Sequence, residues 1–195
     1  AIFFSPSLVY LQPKPVQFLD SIDFSLYGGD SAENYTAREK IKLRLQEAHK
    51  FFEIAESHFN SSSPDYVKAS MAYSTAADNG SLLAAYKLGY MHYFGLGVQQ
   101  NDILAKEYFE RAIRTPQAFQ PHSLQITTEF LAESYNSLGI MYQNGYGTRR
   151  NTKLASEMYL TAVEFGSSSA QQNLASVYSP STADKRQPLA NPSYK

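Results

Sequence analysis

The stretch LGYMHYFGLGVQQN at 88–101 returns as LGIMYQNGYGTRRN at 138–151, so the fold of one unit must serve for the next. Leu88 pairs with Leu138, Gly89 with Gly139, Met91 with Met141 and Asn101 with Asn151, all at an offset of 50. Downstream, Ala105, Phe109 and Ala112 match Ala155, Tyr159 and Ala162. A third copy lies on the same grid. Ala69, Tyr73 and Ala76 stand 36 residues before Ala105, Phe109 and Ala112, and Leu174 and Ala175 stand 36 after Leu138 and Gly139. The basic period is therefore 36, and one interval carries 14 extra residues near 114–128.

Each unit reads as two helices. Ser81 and Ser167 suit the N-cap of the first, where a side-chain oxygen accepts from unpaired backbone N–H groups. Asp65, Asn101 and Asn151 share one register and suit the N-cap of the second. Ala105, Phe109 and Ala112 fall at i, i+4 and i+7, a single helical face. The alanines allow paired helices to approach closely, and Gly89 and Gly139 are expected to mark another close crossing. Gly95-x-Gly97 and Gly145-x-Gly147 then lie between two helices as the bend of a hairpin. They are not nucleotide loops: a dinucleotide fingerprint needs a preceding strand and a third glycine, and a P-loop needs Gly-Lys-Ser/Thr.

The string L-G-x-M-x-x-x-G-x-G, followed by a small-residue helix, resembles the Sel1-like repeat family, relatives of the tetratricopeptide repeats. Leu88, Gly89, Met91, Gly95, Gly97, Val98, Asp102 and Ala105 follow that pattern, as do Leu138, Gly139, Met141, Tyr142, Gly145, Gly147 and Ala155. His92 and Thr148 depart from it, and the first hairpin has NSSSPD (60–65) in place of the glycines. The resemblance implies an all-α fold, a right-handed α-solenoid of about three stacked helix-turn-helix repeats like a tetratricopeptide superhelix. It also implies an adaptor or scaffold, without catalysis, of the kind found in envelope, secretion or motility assemblies. A transient assembly factor or chaperone-like regulator is the alternative. Some cysteine-rich bacterial members carry a disulfide in each repeat; a chain with no cysteine cannot.

The solenoid is expected over 37–179, with the insertion at 114–128. Within it, AREKIKLRLQEAHKFFEIAESHF (37–59) reads as a long helix with an apolar stripe of Ile41, Leu45, Ala48, Phe52, Ala55 and Phe59. Residues 1–36 read as an extended N-terminal arm and 180–195 as an extended tail, both rich in proline. Each is expected to lie on the solenoid or on a partner, the apolar first arm more than the polar tail. The opening AIFFSPSLVYLQ lacks an initiator Met and a basic start, and is expected to begin a processed or trimmed chain.

A net charge of −1 gives no basic excess for nucleic acid, and no run of 18 apolar residues would span a membrane. His49, His58, His92 and His122 are scattered without metal-ligand spacing, and no cofactor motif or catalytic constellation stands out. The functional feature is Tyr86, Tyr90 and Tyr93, at i, i+4 and i+7 on a first helix and off the fixed positions of the repeat. With their counterparts Asn136, Ile140, Gln143, Gln172 and Ser176 they would line a concave trough. A trough of that kind takes other proteins, as a peptide or helix, with the terminal arms as added contacts. The competing expectation is that the tyrosines pack against neighbouring helices or the N-terminal arm. An exported compartment, such as a bacterial periplasm, is favoured over an organelle such as the mitochondrion.

Overall fold

The computed structural model describes residues 32–115, 124–177 and 187–192. Among the described residues seven helices follow one another: α1 (Ala32–Phe59), α2 (Tyr66–Asp78), α3 (Leu82–Phe94), α4 (Asp102–Arg114), α5 (Leu124–Asn144), α6 (Thr152–Glu164) and α7 (Ser168–Ser176). They stack as the hairpins α1–α2, α3–α4 and α5–α6, closed by α7, and no strand occurs among the described residues. This is an α-solenoid of helix-turn-helix units. Two pairs of neighbouring first helices, α3 with α5 and α5 with α7, approach more closely than the second helices do.

The boundaries follow local chemistry. Asp65 accepts from the Lys68 N–H at 3.0 Å, and Ser81 from Ala84 at 3.1 Å. Asn101 accepts from Ile103 and Leu104 at 3.0 Å, Asn151 from Leu154 at 3.1 Å and Ser167 from Ala170 at 3.2 Å. Every N-cap read from the sequence is therefore a cap, each contributing about 1 kcal/mol. Helix α1 starts at Ala32, inside the span read as an arm, and its apolar stripe is buried except for Ile41. The span 1–31 lies outside the described residues. Of the insertion, 116–123 lies outside them too, and Leu124–Thr128 forms the first turn and more of α5.

The two G-x-G loops are the same structure twice. Gly95 and Leu96 both donate to the Met91 carbonyl, and the Asn101 N–H donates to His92 at 2.9 Å. In the next unit Gly145 and Tyr146 donate to Met141, and Asn151 to Tyr142 at 2.8 Å. The first hairpin closes without glycine: Asp65 N–H donates to His58 at 3.1 Å, across a loop two residues shorter. Gly97 and Gly147 have positive φ, 65° and 62°, and each lies against the start of the preceding unit's second helix, at Tyr66 and Asp102. The loops thus join one unit to the next.

The core follows from the same positions. Ala69, Tyr73 and Ala76 on α2, Ala105, Phe109 and Ala112 on α4, and Ala155, Tyr159 and Ala162 on α6 are all fully buried. Phe109 and Tyr159 lie against Gly89 and Gly139, where an added Cβ would come within 2.6 and 2.5 Å of a ring carbon. Helix α3 is enclosed on nearly every side, which explains its almost wholly apolar sequence.

Burial pushes the phenols of Tyr73, Tyr86 and Tyr159 far above the ordinary tyrosine range near 10. Such groups keep their protons in the folded chain at a pH where the unfolded chain has released them. Their contribution is complete below about pH 10 and is lost as pH rises beyond it. Burial of Lys87 lowers its affinity for a proton, which acts in the opposite sense but is spent by about pH 10.5. Denaturation midpoints measured from pH 8 to 11.5 are expected to fall steeply above 10. Tyr159→Phe, which removes a buried hydroxyl that donates to the neutral Gln143 amide, is expected to make that fall shallower.

Candidate functional site

The face made by the first helices is not bare: residues 187–192, QPLANP, run across it in extended form. Three of their main-chain carbonyls are taken by side chains of α3. Tyr93 Oη donates to the Gln187 carbonyl at 2.9 Å, Tyr86 Oη donates to that of Ala190, and Lys87 Nζ donates to that of Pro192 at 3.1 Å. The side chains are read as well. Gln187 Nε2 donates to Asn173 Oδ1 on α7 at 2.7 Å, and its Oε1 accepts from Asn144 on α5 at 3.3 Å. Asn191 Oδ1 accepts from Lys87 at 2.7 Å. Leu189 and Pro192 are buried, whereas Pro188 and Asn191 are exposed, a period of three that matches a polyproline II ribbon.

Lys87 is the centre of this site. It is 1% exposed, with its ammonium 5.2 Å from the Phe59 ring centroid and 5.6 Å from that of Phe130. A charge so placed must be paired. Glu56 on α1 supplies the counter-charge at 3.2 Å, and that carboxylate also accepts from Tyr73 Oη and, at 2.7 Å, from Asn60. Desolvation pulls the Lys87 pKa down while Glu56 pulls it up. The ammonium's three directions are thus met by Glu56, Asn191 and Pro192, two of them from the seated segment.

The residues expected to line the trough divide. Tyr86 and Tyr93 meet the segment, and both are fully buried, so they pack and bind at once. Tyr90 stands aside, half-buried against Phe94 and Phe59, with centroids 4.8 and 6.4 Å away. Ile140 is wholly buried, and Asn136 bonds Asn173 at 2.8 Å and Glu133 at 3.0 Å. Gln143 accepts from Tyr159 at 2.6 Å and lies 3.5 Å from the Ser176 carbonyl. Gln172 and Ser176 are exposed. Sequence reasoning passed over Lys87, Glu56, Asn144 and Asn173. The available signal was Lys87 itself, the one basic residue before the last turn of an apolar helix.

A second hollow, of about 560 Å³, opens beside the start of α5 and reaches Glu133 and Ser167. Those two are already bonded to each other at 2.6 Å. No group of three metal-ligating residues occurs among the described residues, and none of their helices is long and apolar enough to cross a membrane.

Comparison with known proteins agrees with this architecture. The family model described as Sel1 repeat matches residues 82–114 and 132–164, which are the hairpins α3–α4 and most of α5–α6. A Sel1 repeat protein from Oxalobacter formigenes has the same fold, with a TM-score of 0.53 at 23% identity, covering 70% of this chain and 96% of that one. Helicobacter pylori cysteine rich protein B aligns with a TM-score of 0.49 at 20% identity, over 74% of this chain and 98% of its own. No curated protein matches the chain in sequence. Repeats of this family form a scaffold fold, not a catalytic one, and generally mediate protein–protein interactions.

Proposed function

We propose that this α-solenoid of Sel1 repeats is a non-enzymatic adaptor that holds other proteins within a larger assembly of envelope, secretion or motility type. The observation that carries this reading is the grip on 187–192: side chains of three first helices bond the backbone and side chains of an extended segment. Main-chain carbonyls are common to every protein, so such a face suits protein ligands. An exported compartment, such as a periplasm, is proposed as the setting, with an organelle as the alternative.

Photo-crosslinking in native cells tests the role. A crosslinker replaces Gln172 or Ser176, exposed on a first helix, or Ile103 or Leu160, which are 58% and 51% exposed on second helices. Adducts with one protein from the first-helix positions, absent from the second-helix ones, are expected. Stoichiometric co-purification of that protein marks a resident subunit, and capture by crosslinking alone marks an assembly factor. Adducts only from the second helices, or a chain that crosslinks to nothing and runs as a monomer in native extract, would overturn the proposal.

A further inference from the structure

Resting on that adaptor reading, we infer that segment 187–192 is an internal competitor, and that the partner it competes with offers an extended Gln-x-Leu-x-Asn-Pro-like segment. Each element of that description comes from a contact. Leucine and a proline three residues later are the buried positions, Leu189 and Pro192. A neutral side-chain oxygen just before the proline suits Lys87, because Glu56 already balances the charge. An amide two residues before the leucine satisfies both Asn144 and Asn173. The carbonyls that accept from Tyr86, Tyr93 and Lys87 set an extended backbone and no particular sequence.

The occupancy is reversible in character. The segment contributes no regular secondary structure, and its contacts are chiefly hydrogen bonds around one buried leucine and one proline. Val177 and Gln187 are ten positions apart in the chain. A short tether of that kind gives an effective concentration on the order of millimolar, enough to hold a weak ligand in place. A partner whose segment binds the same contacts more tightly, or is itself presented at high local concentration, displaces it. The face is then closed in the isolated chain and opens on assembly.

The test uses the full chain and a fluorescein-labelled peptide of the sequence of residues 185–195, followed by anisotropy. In Leu189→Asp the segment is expected to leave the face, and the peptide to bind at least about tenfold more tightly than to the wild type. A peptide with aspartate in place of the leucine is expected not to bind. Adding Tyr93→Phe to Leu189→Asp removes the hydroxyl that meets the Gln187 carbonyl and is expected to weaken binding about fivefold. Circular dichroism checks folding, and the milder Leu189→Ser/Pro192→Ser chain repeats the measurement. Equal affinity for wild type and opened chains, or no binding to opened chains that remain helical, overturns the inference. So does loss of helicity in both variants, which makes the segment a structural strap. Crosslinks from Gln172 or Ser176 alongside a negative peptide result leave the adaptor reading standing and sink only the competitor; failure of both experiments removes both.

Discussion

Gly97→Ala and Gly147→Ala are each expected to lower stability by about 3 kcal/mol, whereas Gly95→Ala and Gly145→Ala should cost only about 1 kcal/mol. All four glycines have positive φ, between 62° and 76°, so the backbone penalty is common to them. The difference lies in what a methyl group would meet. At Gly95 and Gly145 the nearest atoms are 3.3 and 3.4 Å away, in the same loop. At Gly97 and Gly147 the methyl would fall inside the backbone at Tyr66 or Asp102, the first residue of the preceding unit's second helix. Neither a loop clamped at both ends nor a helix start can retreat cheaply, so the strain passes to the contact between units. Urea unfolding of the four variants measures this, and equal losses would show that only backbone conformation matters at these positions.

Glu56→Gln is expected to destabilise the fold by about 3 kcal/mol, a large effect for a change of one atom. The substitution leaves the Lys87 ammonium buried without its carboxylate, between the rings of Phe59 and Phe130. Both partners are nearly inaccessible, at 1% and 8% side-chain exposure, so screening by solvent does little to soften the loss. In a Lys87→Met background the same Glu56→Gln change should cost close to nothing, because methionine leaves no charge to compensate. A double-mutant cycle in urea isolates this coupling. Additive losses would mean that Glu56 acts only as the acceptor for Tyr73 and Asn60.

Much of the fold was legible because the repeat writes the same requirement several times. Asp65, Asn101 and Asn151 occupy one register, and each caps a second helix. Gly89 and Gly139 mark the crossings where Phe109 and Tyr159 lie against the first helices. The long helix was read from its stripe, and its start was missed because Ala32–Thr36 carries no apolar period of its own. The insertion was placed at 114–128 without a structure of its own; Leu124–Thr128 extends α5, which the repeat could not show because a break in it has no second copy to check against.

The site was harder to read. Tyr86, Tyr90 and Tyr93 share a helical face, but spacing alone does not distinguish a tyrosine that packs from one that also binds. Tyr86 and Tyr93 do both, with rings in the core and hydroxyls at the rim. Lys87 departs from the repeat, where its counterpart is Ser137, and so no second copy drew notice to it. Both arms were expected on the solenoid or on a partner: residues 1–31 lie outside the described residues, and the structure seats 187–192 of the polar tail. Its carbonyls and two amide side chains hold it there as much as Leu189 does, and carbonyls are invisible in a composition.

The first-helix face grips an extended segment, and 187–192 occupies it. A chain without native cysteine allows spin labels to be placed at Pro188→Cys and Gln172→Cys alone, both exposed positions. The distance distribution between them by pulsed electron resonance tests the claim directly. A single narrow distribution is expected, broadening when Leu189→Ser is added. A broad distribution in the otherwise unaltered chain, or one unchanged by Leu189→Ser, would contradict it.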